Sequence, residues 1–123
     1  MTKRSLGWTL DGTDRAALLD RFPPTYGKTV ADHVTHGEVG KAPPMPKAAS
    51  APVIGRADDG AGVEALVVEI AGTSKRWDGS TYHITWSLAD GREAKESNDV
   101  IARCGWQPVA DAPKVGLIPA EWS

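Results

Sequence analysis

Apolar side chains change their spacing several times along the chain, and each change predicts an element. Leu6, Trp8 and Leu10 alternate with Ser5, Gly7 and Thr9, the period of a half-buried strand over Ser5 to Leu10. Asp11-Gly12-Thr13 then turns the chain into a helix, with Asp11 or Thr13 as its cap and Asp14 in the first turn. Leu18, Leu19 and Phe22 form its apolar stripe, and Pro23-Pro24 ends it. A second strand is predicted from about Lys28 to Gly37. Lys41 to Pro52 is rich in Pro and Ala without periodicity, which predicts an extended linker.

Val53-Ile54-Gly55 suits a short strand, Asp58 to Gly62 a turn, and the nearly continuous apolar run Val63 to Ile70 a buried strand. Thr73 to Ser80 predicts a hairpin loop leading into a strand over Tyr82 to Ser87. Ala89-Asp90-Gly91 is a turn. Ser97 is placed to cap a second helix, in which Val100, Ile101 and Cys104 share a face and which Gly105 ends. Lys114 to Ile118 predicts a last short strand. Strands and helices alternate without a long βαβ series, which favours an α+β domain over a doubly wound sheet. The expected division is one domain, 1–123, with lobe one at about 1–40, the linker at about 41–52 and lobe two at about 53–123.

Composition narrows the function classes. A chain of 123 residues makes one domain with a real core. The formal net charge of -2 lacks the basic excess that coating nucleic acid or a membrane surface requires, so any nucleic-acid contact is expected to be local. The single cysteine, Cys104, excludes an internal disulfide and a thiolate-rich zinc site, and its place on the apolar helix face predicts burial. Met1 to Trp8 has positive charge but no apolar run behind it, so neither a signal peptide nor a membrane span is expected there. The expectation is a cytoplasmic monomer.

The chemistry is concentrated in a repeat. Asp32-His33-Val34-Thr35 and Tyr82-His83-Ile84-Thr85-Trp86 each carry His-x-Thr in a predicted strand, one in each half of the chain. Side chains on a strand alternate faces, so each segment offers an imidazole and a hydroxyl on one face and buries Val34, or Ile84 and Trp86, on the other. Two such strands side by side would converge two imidazoles and two hydroxyls on one small anionic group. A single His-x-Thr carries little information, and ordinary strand histidines satisfied by hydrogen bonds stand as the alternative.

These segments resemble the two-histidine phosphoesterase superfamily, and the flanking sequence is most similar to the cyclic phosphodiesterase domain of plant and fungal tRNA ligases. The likeness runs from Gly7-Trp8-Thr9-Leu10-Asp11 through the Leu18 to Phe22 helix and both motifs to Ala94-Lys95-Glu96-Ser97-Asn98. It implies a bilobal fold, two antiparallel sheets around a central groove with helices outside. It also implies a hydrolase, a metal-independent phosphodiesterase without cofactor. The implied substrate is a 2′,3′-cyclic phosphate on a nucleotide or RNA end, or a related phosphodiester. His36 departs from the family pattern, which has an apolar residue there. No ligase or kinase domain accompanies the motifs, which leaves the pathway open between RNA repair and cyclic nucleotide degradation.

The residue chemistry fits that implication. Imidazoles with pKa near 6.5 serve as general acid or base at neutral pH, so His33 and His83 supply both roles. Thr35 and Thr85 are placed to donate to the non-bridging oxygens of the phosphate. Lys75 and Arg76 can reach a phosphate, and Trp77, Tyr82 and Tyr26 are candidates to stack a base, whereas Trp86 shares the core face of Ile84. Asp32 and Asp58-Asp59 lack convincing ligand spacing with the histidines, so no metal is expected. Two alternatives are a catalytically inactive nucleotide- or RNA-binding module, and a phage enzyme that degrades cyclic oligonucleotide defence signals.

Overall fold

The computed structural model describes residues 3–123, a single eight-stranded antiparallel sheet with two flanking helices. The strands are β1 (Ser5–Leu10), β2 (Lys28–Thr29), β3 (His33–Glu38), β4 (Ser50–Asp58), β5 (Val63–Val68), β6 (His83–Leu88), β7 (Gln107–Pro108) and β8 (Lys114–Trp122). The helices are α1 (Gly12–Arg21) and α2 (Ser97–Cys104), the latter preceded by a 3-10 turn over Ala94–Glu96. Strand order is β2-β6-β3-β1-β8-β4-β5, with β7 on β4 and a further β5–β6 pairing. The path β6-β3-β1-β8-β4-β5 therefore returns to β6.

This overturns the expected bilobal, two-sheet architecture, and β8 is the physical reason. Its first residues, Lys114 to Gly116, pair with β4, while Leu117 to Trp122 pair with β1. β8 thus joins β1 to β4 and, together with the pairing of β2 and β3 with β6, makes the two halves of the chain one sheet. Its length was hidden because Pro119 cannot donate to a ladder, and the predicted strand stopped at Ile118. The linker also ends early: β4 starts at Ser50, inside the Pro/Ala-rich stretch, and continues through Val53-Ile54-Gly55 to Asp58.

Alternation then assigns the faces. Trp8, Leu10, Val34, Val53, Leu66, Val68, Ile84, Trp86, Val115 and Leu117 point into one core, capped on one side by Leu18 of α1. Ala65 and Val67 of β5 point the other way, against Ile101 of α2. With cover on both faces, every residue of β5 is buried, which accounts for an apolar run interrupted only by Glu64. Gly7 lets β1 and β3 close: a Cβ there would sit 2.1 Å from the Val34 carbonyl oxygen.

The capping residues divide their work. Asp11 caps α1 by accepting from the Asp14 backbone N–H at 3.0 Å. Ser97 is the first helical residue of α2 rather than its cap. Ahead of it, a reciprocal box of Glu93 and Glu96 closes the 3-10 turn. Cys104 is exposed, since the α2 face that meets the sheet is formed by Val100 and Ile101 and ends a turn earlier.

The segment after α1 is held to the sheet by one buried carboxylate. Glu64 accepts from the Thr25 N–H and hydroxyl at 3.0 Å each, from Arg56 Nε at 2.7 Å and from the Ser87 hydroxyl at 2.6 Å. A buried charge is tolerated only when so completely paired. Glu64→Ala strands Ser87 and leaves Arg56 without its main partner. Because Arg56 is 36% exposed, the expected loss is about 3 kcal/mol, the lower end for breaking a buried pair. Chemical denaturation checks this; an unchanged midpoint would show that the network contributes nothing.

Candidate functional site

The two His-x-Thr segments meet at one residue pair. β3 and β6 run antiparallel with Val34 opposite Ile84, and both side chains are fully buried. Antiparallel geometry about that pair sets His33 beside Thr85 and Thr35 beside His83, all on the face away from the core. The four side chains line one pocket of about 350 Å³, together with Ser5, Arg76, Lys95, Asn98 and Trp122.

Local backbone structure frames His33. β2 and β3 do not form the continuous strand expected from Lys28 to Gly37; Ala31, with φ of 45°, breaks them apart. The Ala31 carbonyl takes a hydrogen bond from Arg15 Nε of α1 at 2.7 Å, and its N–H reaches the Thr85 carbonyl at 2.9 Å. The break brings the Asp32 carboxylate to His33 Nδ1 at 3.1 Å. The Trp122 ring packs against the imidazole with centroids 4.6 Å apart. Nδ1–H donating to a carboxylate leaves Nε2 for the pocket.

His83 has the opposite surroundings. Its Nδ1–H donates to the Thr81 carbonyl at 2.8 Å, so Nε2 is the free nitrogen here too. Its pKa lies below 6.5 chiefly because burial disfavours the charged ring, with the nearby positive charges of Arg76 and of protonated His33 adding to the effect against the raising influence of the Thr81 carbonyl. At neutral pH His83 is therefore uncharged with an available lone pair.

Arg76 reaches the pocket from the Thr73 to Ser80 loop. Asp78 grips its guanidinium with two bonds, 3.0 Å from Nε and 2.6 Å from Nη2, and a third N–H approaches the Thr35 carbonyl at 3.4 Å. The Arg76 hydrogen bonds, reinforced by those from Ser80, hold Asp78 well below the usual carboxylate range against the effect of burial. The fork is thus fixed before any ligand arrives, and N–H groups remain for an anion.

The two threonines differ. Thr85 Oγ1 lies 2.8 Å from the Ser97 hydroxyl and 3.4 Å from the Ala94 carbonyl. Thr35 Oγ1 has no protein hydrogen-bond partner among the described residues. The Asn98 side-chain oxygen is buried without a partner beside the same pocket.

The remaining sequence candidates lie elsewhere. Tyr82 is 4% exposed, packs edge-on to Trp8 and hydrogen-bonds His36 Nδ1 at 3.0 Å, so it belongs to the core rather than to a base-stacking surface. Trp77 donates its indole N–H to the His36 carbonyl at 2.8 Å and covers Gly37. Lys75 is exposed and, like Trp77, does not line the pocket. Tyr26 bonds Asp58 at 2.6 Å, and Trp86 donates from the core to the Phe22 carbonyl at 2.8 Å. His36 is buried with Nε2 3.0 Å from the Pro43 carbonyl, on the core side of β3.

Ser5, Lys95 and Trp122 escaped sequence reasoning. Ser5 and Trp122 are register partners on β1 and β8, so the long β8 was the missing signal. Among the described residues no group of three or more His, Cys, Asp or Glu is placed to hold a metal ion, and no helix is long and apolar enough to cross a membrane. Comparison with protein-family models, curated proteins and solved structures finds no match to the chain.

The His83 imidazole should titrate below a free histidine. With a folded pKa below the unfolded 6.5, the folded chain keeps His83 neutral where the unfolded chain protonates it. Its contribution to stability is therefore intact above about 6.5 and is lost as pH falls toward the folded value. Imidazole NMR titration should place the His83 midpoint below 6.5, and Arg76→Gln should move it part of the way back up. A midpoint at or above 6.5 contradicts the burial argument.

Proposed function

We propose that the pocket binds and hydrolyses a nucleotide phosphodiester, a 2′,3′-cyclic phosphate or a close relative, by metal-independent acid–base catalysis. The observation that carries this reading is the Val34–Ile84 register, which lines one pocket with two imidazoles, two threonines and a preset guanidinium.

Neutral His83 serves as the base. Its Nε2 takes a proton from water as the oxygen forms a bond to phosphorus. The P–O bond to a ribose oxygen breaks, and His33 in its protonated form, with Nδ1 oriented by Asp32, gives a proton from Nε2 to that leaving oxygen. Exchange with solvent then moves the surplus proton off His83 and restores the one lost by His33. Thr35, Thr85 and Arg76 donate to the non-bridging oxygens, whose negative charge grows in the transition state. For Thr85 to donate outward, the Ser97 hydroxyl must donate to Thr85, which makes Ser97 an orienting group. Trp122 supplies an aromatic wall on which a base can stack.

Turnover of a 2′,3′-cyclic mononucleotide should fall about 10²-fold or more in His33→Ala and in His83→Ala, the scale for losing a general acid or base. Thr35→Val should lose about 10²-fold in kcat with the fold intact, since its hydroxyl supports nothing else. Thr85→Val should lose activity and also about 1–3 kcal/mol of stability, because the buried Ser97 hydroxyl is left unpaired. EDTA should leave the rates unchanged. Activity lost in EDTA and restored by a divalent ion would overturn the mechanism, and binding without turnover across a phosphodiester panel would transfer the reading to a nucleotide-binding module.

A further inference from the structure

A second pocket of about 400 Å³ adjoins the first, and Ala94 lines both. Asp32 joins them chemically: its carboxylate lines the second pocket and bonds His33 Nδ1 in the first at 3.1 Å. The floor of the second pocket is apolar, formed by Val30 and the end of β6 at Leu88, which belong to a small core cluster with Val63 and Val100. Its rim is polar. Lys28 and Thr29, the two residues of β2, are exposed there, and Lys28 makes no ion pair among the described residues. Arg92 also borders the space, but its guanidinium is committed to Asp59 at 2.8 Å and Glu96 at 3.1 Å.

An apolar floor with donors and the two acidic residues Asp32 and Glu93 at its edge suits a heterocycle and its sugar: a flat surface to cover, and polar groups at the margin. Position supplies the second part of the argument. The strand order β8-β1-β3-β6-β2 puts Trp122 on one side of the His-x-Thr pair and Lys28-Thr29 on the other. β8 and β2 are four strand spacings apart along the sheet, at about 4.8 Å each. One nucleotide with its phosphate between the imidazoles can cover one of these flanks but not both.

We infer that the pocket over Val30 and Leu88 is a second nucleoside subsite, so that the substrate is an oligonucleotide of at least two residues rather than a mononucleotide. The scissile phosphate lies between His33 and His83, one base rests against Trp122, and the neighbouring nucleoside occupies the second pocket with Lys28 and Thr29 at its edge. This rests on the phosphodiesterase reading above and narrows its substrate class.

The test compares kcat/KM for a 2′,3′-cyclic mononucleotide, a linear dinucleoside monophosphate and a cyclic dinucleotide, with the wild-type chain and two variants. Thr29→Trp fills the pocket from an exposed position, and Lys28→Glu reverses the rim charge without adding bulk. The wild type should prefer one of the dinucleotides over the mononucleotide by about tenfold or more, the equivalent of one good contact. Both variants should erase that preference while mononucleotide turnover stays within about twofold. The identity of the preferred dinucleotide tells an open strand from a closed ring, and either supports the subsite. Equal turnover of all three substrates, unchanged in both variants, overturns the subsite and leaves the phosphodiesterase reading standing. Turnover of none of them overturns both.

Discussion

Everything at the site depends on a single strand contact, the pairing of Val34 with Ile84. Both side chains are locked in the core beside Trp8 and Trp86, and the strand period of two then forces the residues on either side of each to face outward. A slip of one residue would drive His33, Thr35, His83 and Thr85 into an apolar interior and expose Val34 and Ile84, at a cost of several kcal/mol. The register is therefore held by hydrophobic burial, and the polar face inherits its precision from the core. Neighbouring contacts reinforce it. Gly7 allows β1 to lie close against β3, and Trp8 is the cross-strand partner of Val34.

The environments of the two imidazoles are unequal although their motifs are alike. His33 follows the break at Ala31, which places an acidic neighbour on its ring, while His83 follows Thr81, whose backbone carbonyl offers a neutral acceptor. Burial beside a guanidinium favours the neutral ring of His83. The asymmetry gives the proposed base a neutral ring and the proposed acid an oriented one, without any difference in the motif itself. Arg76 contributes twice, as a donor aimed at the pocket and as a positive charge that keeps its neighbour unprotonated.

Local patterns in the sequence carried much of this. The alternation in Ser5 to Leu10, the Asp11 cap and the His-x-Thr spacing follow from rules that act over a few residues, and the structure has each of them as elements or faces. What the sequence did not expose is pairing between distant segments. β8 was read as a short strand because Pro119 interrupts its pattern, yet it spans Lys114 to Trp122 and closes the sheet, replacing two lobes with one. The same omission hid Trp122 and Ser5 from the pocket. Tyr82 looks like a stacking residue when only neighbours in sequence are considered, but Trp8 and His36 hold it in the core, while Trp77 bonds the His36 carbonyl and lies outside the pocket. Cys104 fails for a related reason, since helical periodicity places it on the apolar face while the helix has already run past the edge of the cover.

The central claim is that His33 and His83, fifty positions apart in sequence, act on one anion. The most direct measurement follows the imidazole nitrogen resonances of all three histidines while a nonhydrolysable nucleotide phosphodiester analogue is titrated into the protein. The account predicts that His33 and His83 shift along one shared saturation curve, with the larger change at Nε2 of each ring, while His36, on the core side of β3, stays still. Separate saturation curves for the two rings, or a response confined to His36, would contradict it.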